Sequence, residues 1–317
     1  MRGAALVVTM VAFVGSGCVS GNGGTEETVR IYSSVTQDTI DAVLAGLQEA
    51  NPDLTVELFR AATGEVAARI AAEQREGGLQ ADVLWLTDPL SIQQYDRDGI
   101  LGEWAPAGSD NVPPEYRTTT FFGTRILNLV IVASSELAVP PADWDDLTTI
   151  DGVVAIPDPA FAGSAFGALG FFAMAPEFGM KYYSDLREND AVQVSAPGDV
   201  VTGVAEGLYA AGITLDRTAQ DAVDAGSPLT MVWPASGAIA IYSPIAVVDG
   251  GNEEGARTFV DFVLSAQAQS AIASTGWQPI RGDVGWPDRG LQRTVPWEEA
   301  FDRQDELLDG YGAIFGG

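Results

Sequence analysis

The chain has 317 residues, 46% of them hydrophobic, and 44 Asp and Glu against 16 Lys and Arg give a formal net charge of −28. The apolar content is ample for a packed core, and the length suggests two lobes. The acidity argues against nucleic acid or an anionic lipid surface as partner, one cysteine allows no internal disulfide, and the lack of histidine excludes a Ser-His-Asp centre.

The acids are scattered from Glu26 onward without a dense cluster, a pattern read as adaptation to salt rather than cation capture. At the N-terminus, Arg2 precedes an apolar run from Ala4 to Val14, which ends in Gly15-Ser16-Gly17-Cys18. A basic start, a short apolar core and small residues before a cut describe an export signal. The run is too short to span a bilayer, which takes about 20 residues. The expectation is a signal and lipoprotein segment over 1–18, with Cys18 acylated, followed by a flexible linker over 19–25. Gly15 departs from the Leu or Val usual three residues before such a cysteine.

Strand and helix signals then alternate. Val29 to Tyr32 reads as a strand. Thr36 to Ala50 reads as a helix, with Ile40, Val43, Leu44 and Leu47 on one face and Asn51-Pro52 as its stop. Leu54–Phe59 is a strand, Gly64–Glu76 a helix closed by Gly77-Gly78, Asp82–Leu86 a strand and Ser91–Arg97 a short helix. This order predicts a parallel sheet covered by helices. Two long β runs, 126–133 and 239–248, are candidate crossings between lobes. Between them lie Val153–Ile156, helices over 164–174, 181–188 and 199–206, and a strand over 208–214. Gly255 to Thr275 reads as one amphipathic helix.

The order of several short motifs carries a resemblance. Val29-Arg30-Ile31-Tyr32-Ser33, Ala81-Asp82-Val83-Leu84-Trp85, Asp158-Pro159 with Ala162-Gly163-Ser164, Pro234-Ala235-Ser236-Gly237-Ala238, Ala256 to Ser265 and Gly276-Trp277-Gln278-Pro279-Ile280-Arg281 together resemble exported solute-binding proteins of ABC importers. The nearest group is that of the ferric-iron, phosphonate and sugar-phosphate binders. The resemblance implies an α/β, two-lobed periplasmic-binding-protein-like (type II) fold with two hinge crossing strands. Lobe 1 is expected over 26–128 plus 246–317, and lobe 2 over 129–245. It also implies a monomer that holds a small-molecule solute between the lobes and passes it to ABC permease subunits in the membrane, with no cofactor, no resident metal and no catalysis.

Strand ends and helix starts supply the candidate ligand-binding residues. They are Ser33 and Ser34 after the first strand, Thr63 before the second helix, Thr87 after the third strand, and Gly163 and Ser164 at a helix N-terminus, where free N–H groups accept oxyanions. Each equally serves as a cap or turn residue. Arg125, in a neutral stretch, either pairs with a ligand oxyanion or neutralises one of the many acids. Thr214 and Tyr242 complete the set.

The resemblance also frames an alternative, a ferric-iron binder. Iron-binding relatives place two adjacent tyrosines where this chain has Thr214-Leu215-Asp216, and an early histidine or tyrosine where it has Ser34 to Thr36. Tyr182-Tyr183 is read as helix packing, with one ring inward and one at the surface. A secreted carboxylate-dependent hydrolase is the second alternative, since acids abound but nothing pairs them recognisably. The preferred reading is a lipid-anchored, extracytoplasmic binder of a small anionic or polar solute, phosphonate-like or phosphate-ester-like.

Overall fold

A computed structural model describes residues 27–316. The signal segment, Cys18 and the linker over 19–25 lie outside the described residues.

The first half alternates as expected: β1 (Glu27–Ser33), α1 (Gln37–Ala50), β2 (Leu54–Arg60), α2 (Thr63–Glu76), β3 (Val83–Trp85), α3 (Pro89–Arg97) and the long β4 (Phe121–Ser134). The second part holds β5 (Val154–Pro157), α4 (Gly163–Met174), α5 (Lys181–Glu188), β6 (Val192–Val194), α6 (Pro197–Ala205), β7 (Ala211–Leu215), α7 (Asp216–Asp224), β8 (Leu229–Val232) and the long β9 (Ala238–Val247). The chain closes with α8 (Glu253–Val263), α9 (Ala266–Ser274), β10 (Gln278–Pro279), β11 (Gln292–Arg293), α10 (Trp297–Asp302) and α11 (Gln304–Phe315).

The strand order is β2-β1-β3-β9-β4-β7-β5-β6, with β10 and β8 on β4 and β11 on β9. β4 and β9 run antiparallel to each other along most of their length. β3 joins β9 at residues 245–247, whereas β7 and β8 join β4 at residues 129–134. The two long strands therefore belong to both halves, which joins two lobes in one path. Both are buried along almost their whole length, so their sequences are continuous apolar runs rather than alternating ones. One large core runs through the molecule from β1–β3 to α4 and α5, and a smaller one packs Val132, Ala155, Val200, Val204 and Leu229 under α6.

Helix starts carry the site. α1 buries Ile40, Val43 and Leu47 and stops where the Asn51 N–H meets the Leu47 carbonyl. Asp88 caps α3 by accepting from the Ser91 N–H at 2.8 Å, with Pro89 at the first helical position. α4 is apolar on all sides and lies directly on β9: a Cβ at Gly167 would sit 2.7 Å from Ile241 Cδ1. A side chain there would have to displace Ile241, so glycine favours the close approach of α4 to β9.

The helix expected over 255–275 is two. Ser265 breaks it, its hydroxyl accepting from the Ala268 N–H and so capping α9. Buried Gln269 then donates to the Val263 carbonyl, which the break leaves free, and to the Thr124 carbonyl of β4. Tyr182 and Tyr183 differ from the expected pair of one inward and one surface ring. Both are buried, because Tyr311 of α11 covers Tyr183 at 5.1 Å while Tyr182 stacks on Phe172 at 4.2 Å.

Candidate functional site

The carboxyl ends of β1, β2 and β3 face the turn that leads into α4. Four of the expected residues meet there. The Ser34 and Thr87 hydroxyls are 3.1 Å apart, the Thr63 and Thr87 hydroxyls are 3.1 Å apart, and the Thr87 N–H donates to Ser34 Oγ at 3.0 Å. Gly163 closes the group from the other side. A Cβ there would lie 3.0 Å from both threonine hydroxyls and 2.5 Å from Asp88 Oδ2. The residue before α4, Ala162, supplies no side-chain cap. The helix start is thus an uncapped set of donors pressed against hydroxyls of the opposite lobe, with Ser164 buried just inside it.

Asp88 is the residue of this group that carries charge. It is fully buried, and desolvation pushes its carboxyl up to about 6, partly offset by hydrogen bonds from the Ser91 N–H and hydroxyl. The sequence signal was its place beside Thr87 at the end of β3.

Arg125 forms a second cluster. Its Nη1 donates to Thr36 Oγ1 at 3.2 Å and Thr39 Oγ1 at 2.9 Å, its Nε donates to Ser243 Oγ at 3.2 Å, and its guanidinium lies 4.5 Å above the Trp277 ring. No carboxylate among the described residues bonds to it, and burial pushes it down to about 9, so it stays charged at neutral pH. Its Nη2 and the neighbouring Trp277 Nε1 are both buried donors without a partner among the described residues. The two clusters share one loop: Ser34 belongs to the first and Thr36 to the second. Thr36, Thr39 and Trp277 were not legible as site residues. Their sequence contexts are a helix cap, a helix interior and an aromatic after glycine, and only the packing of α1 against α9 and the pairing of β10 with β4 bring them to Arg125.

The remaining expected residues have structural partners. Ser33 donates to the Trp85 carbonyl at 2.7 Å and accepts from the Val35 N–H at 3.1 Å, which ties β1 to β3. Thr214 donates to the Pro197 carbonyl at 2.9 Å and so holds the start of α6. Tyr242 packs between Tyr116 and Trp297, and burial raises its phenol. At the crossing itself, the Asn128 amide donates to Asp216 at 3.2 Å and to Gln278 at 3.1 Å, and Gln292 donates to Gln278 at 2.7 Å. This network joins β4 to the C-terminal segments.

A cavity of about 500 Å³ opens beside Gly163. Thr63 and Gly64 line one wall, Asp158, Phe161 and Phe166 another, and Leu308 and Tyr311 of α11 a third. Among the described residues no group of three or more His, Cys, Asp and Glu side chains is placed to hold a metal ion, and no helix is long and apolar enough to cross a membrane.

Two α/β lobes bridged by a pair of long antiparallel strands, with helix N-termini converging between them, define a cleft-type binding protein. Residues 29–278 match the model of the bacterial extracellular solute-binding protein family, and the chain belongs to that family. Proteins of this family are the extracytoplasmic components of ABC importers that deliver small solutes to membrane permease subunits. No curated protein matches the chain. The fold is similar to that of the periplasmic binding protein AfuA from Actinobacillus pleuropneumoniae, solved with exogenous fructose 6-phosphate bound (21% identity, TM-score 0.80, 92% of this chain and 99% of that one). It is also similar to apo ferric ion-binding protein A from Pasteurella haemolytica (16% identity, TM-score 0.79, 91% and 98%). Iron-bound HitA from Pseudomonas aeruginosa is a further similar structure (17% identity, TM-score 0.78, 91% and 99%).

Proposed function

We propose that this protein captures a small solute bearing an oxyanion, of phosphonate or phosphate-ester type, between the start of α4 and the hydroxyls of Ser34, Thr63 and Thr87. The observation that carries this reading is the meeting of an uncapped helix N-terminus with three hydroxyls from the opposite lobe. Backbone N–H groups and the helix dipole stabilise an anion at such a place. Arg125 supplies positive charge one loop away, uncompensated by any carboxylate hydrogen bond among the described residues. The same reading makes the protein a monomer anchored to the membrane through acylated Cys18. Two features weigh against ferric iron. Thr214-Leu215-Asp216, at the end of β7 and the start of α7, holds no tyrosine, and burial raises the Tyr182 and Tyr183 phenols well above their ordinary range, which disfavours tyrosinate.

A thermal-shift panel of inorganic phosphate, methylphosphonate, glucose 6-phosphate and ferric citrate tests it. A rise in Tm with an organophosphate or phosphonate is the expected result. No response to any oxyanion, together with a visible tyrosinate band on adding iron, would overturn it.

A further inference from the structure

The cavity beside Gly163 has a composition unlike that of an anion site. Among the described residues that line it there is no Lys or Arg, and the only charged one is Asp158. Asp158 keeps one oxygen engaged, Oδ1 accepting from the Ala160 N–H at 2.8 Å, and it is only partly buried. Phe161 is 61% exposed, although large apolar side chains are otherwise mostly interior. Phe161 and Phe166 form no ring pair, and no arginine covers either, among the described residues. Other aromatics, such as Tyr32, Trp277 and Phe301, carry arginines 4.4–4.5 Å from their ring centroids. Tyr311 is held in place by Gln193, whose amide donates to its hydroxyl at 3.2 Å, and by Phe315 stacked on it.

Uncovered aromatic rings beside a carboxylate, in a cavity free of cations, suit an organic ammonium group. The net charge of −28 favours approach of a cation over long range and opposes that of a bare anion. The cavity also reaches Thr63 and Gly163, where the oxyanion is placed. We propose that the solute is a zwitterion, with its oxyanion at Gly163 and its ammonium in the cavity against Asp158, Phe161 and Phe166. The inference rests on the oxyanion reading above and adds the cationic half of the substrate. It makes α11 a specificity element, since Leu308 and Tyr311 form the far wall.

Phosphocholine and 3,3-dimethylbutyl phosphate have the same shape and differ by the positive charge. Calorimetry with the purified protein should give at least tenfold tighter binding of phosphocholine. Asp158→Asn keeps the oxygen that bonds Ala160 and removes the charge, and it should shrink the ratio to near one. Phe161→Leu, at an exposed position, should reduce the ratio without a folding defect. Equal binding of the two esters, or a ratio unchanged in both variants, would overturn the proposal. Choline separates the two readings. If neither ester binds but choline does, and Asp158→Asn abolishes it, the ammonium subsite stands and the oxyanion reading falls. If none of the three binds, both fall.

Discussion

Replacing Asp88 by Asn removes a charge that the folded protein buries at a cost. The carboxyl is pushed from 3.8 to about 6 by desolvation, and at about 1.4 kcal/mol per pH unit this corresponds to roughly 3 kcal/mol. The folded state keeps its proton up to about pH 6, whereas the unfolded chain releases it near 4. Unfolding is therefore increasingly favoured as pH rises through this window, and the penalty persists above it. Asn accepts equally well from the Ser91 N–H, so the cap of α3 survives. Denaturant unfolding of both proteins from pH 4.5 to 7.5 isolates this group from the other acids. Asp88→Asn should be more stable by about 2–3 kcal/mol at pH 7.5, with the gap closing toward pH 4.5. A gap independent of pH, or a more stable parent at pH 7.5, would refute the assignment of buried charge. The same carboxylate faces the proposed oxyanion beside Gly163. Because a phosphate ester itself loses a proton near pH 6, the two proteins are compared at each pH: Asp88→Asn should bind the ester more tightly than the parent above pH 6, and the difference should close as pH falls through 6.

Three further outcomes are expected. Gly163→Ala places a Cβ 2.5 Å from Asp88 Oδ2 and should hold the lobes apart; small-angle scattering should give a larger radius of gyration, with weaker ligand binding, and an unchanged radius would count against closure at this point. Arg125→Met removes a buried cation to which no carboxylate among the described residues hydrogen-bonds, so oxyanion affinity should fall tenfold or more while the ligand-free Tm stays level or rises; a large drop in Tm with affinity intact would make Arg125 a structural residue alone. Cys18→Ala should release the protein from membranes of a bacterial host and abolish labelling by palmitate, and continued membrane attachment would contradict the lipid anchor.

The architecture was legible where elements end in strong stops. Asn51-Pro52 and Gly77-Gly78 delimit α1 and α2, and β4 and β9 stand out as long apolar runs because both their faces are buried. The break between α8 and α9 was not legible, since Ser265 lies inside a continuous amphipathic pattern and caps only once its hydroxyl turns to Ala268. α11 was also missed. Gly310 and Gly312 lower its helix propensity, and it is held by burial of Leu307 and Tyr311 instead. Site residues at strand ends followed from topology, as the contact of Ser34, Thr63, Thr87 and Gly163 illustrates. The surroundings of Arg125 did not, because Thr39 and Trp277 reach it only through tertiary packing. Nor could sequence foresee that Thr214 spends its hydroxyl on the Pro197 carbonyl.

The central claim concerns donors at the start of α4, and their amide resonances report on it directly. Titrating the isotope-labelled protein with phosphocholine should move the Gly163 and Ser164 N–H signals downfield and saturate at one equivalent, with Thr87 shifting in parallel. Saturable binding that leaves these amides unmoved and shifts residues elsewhere would contradict the account.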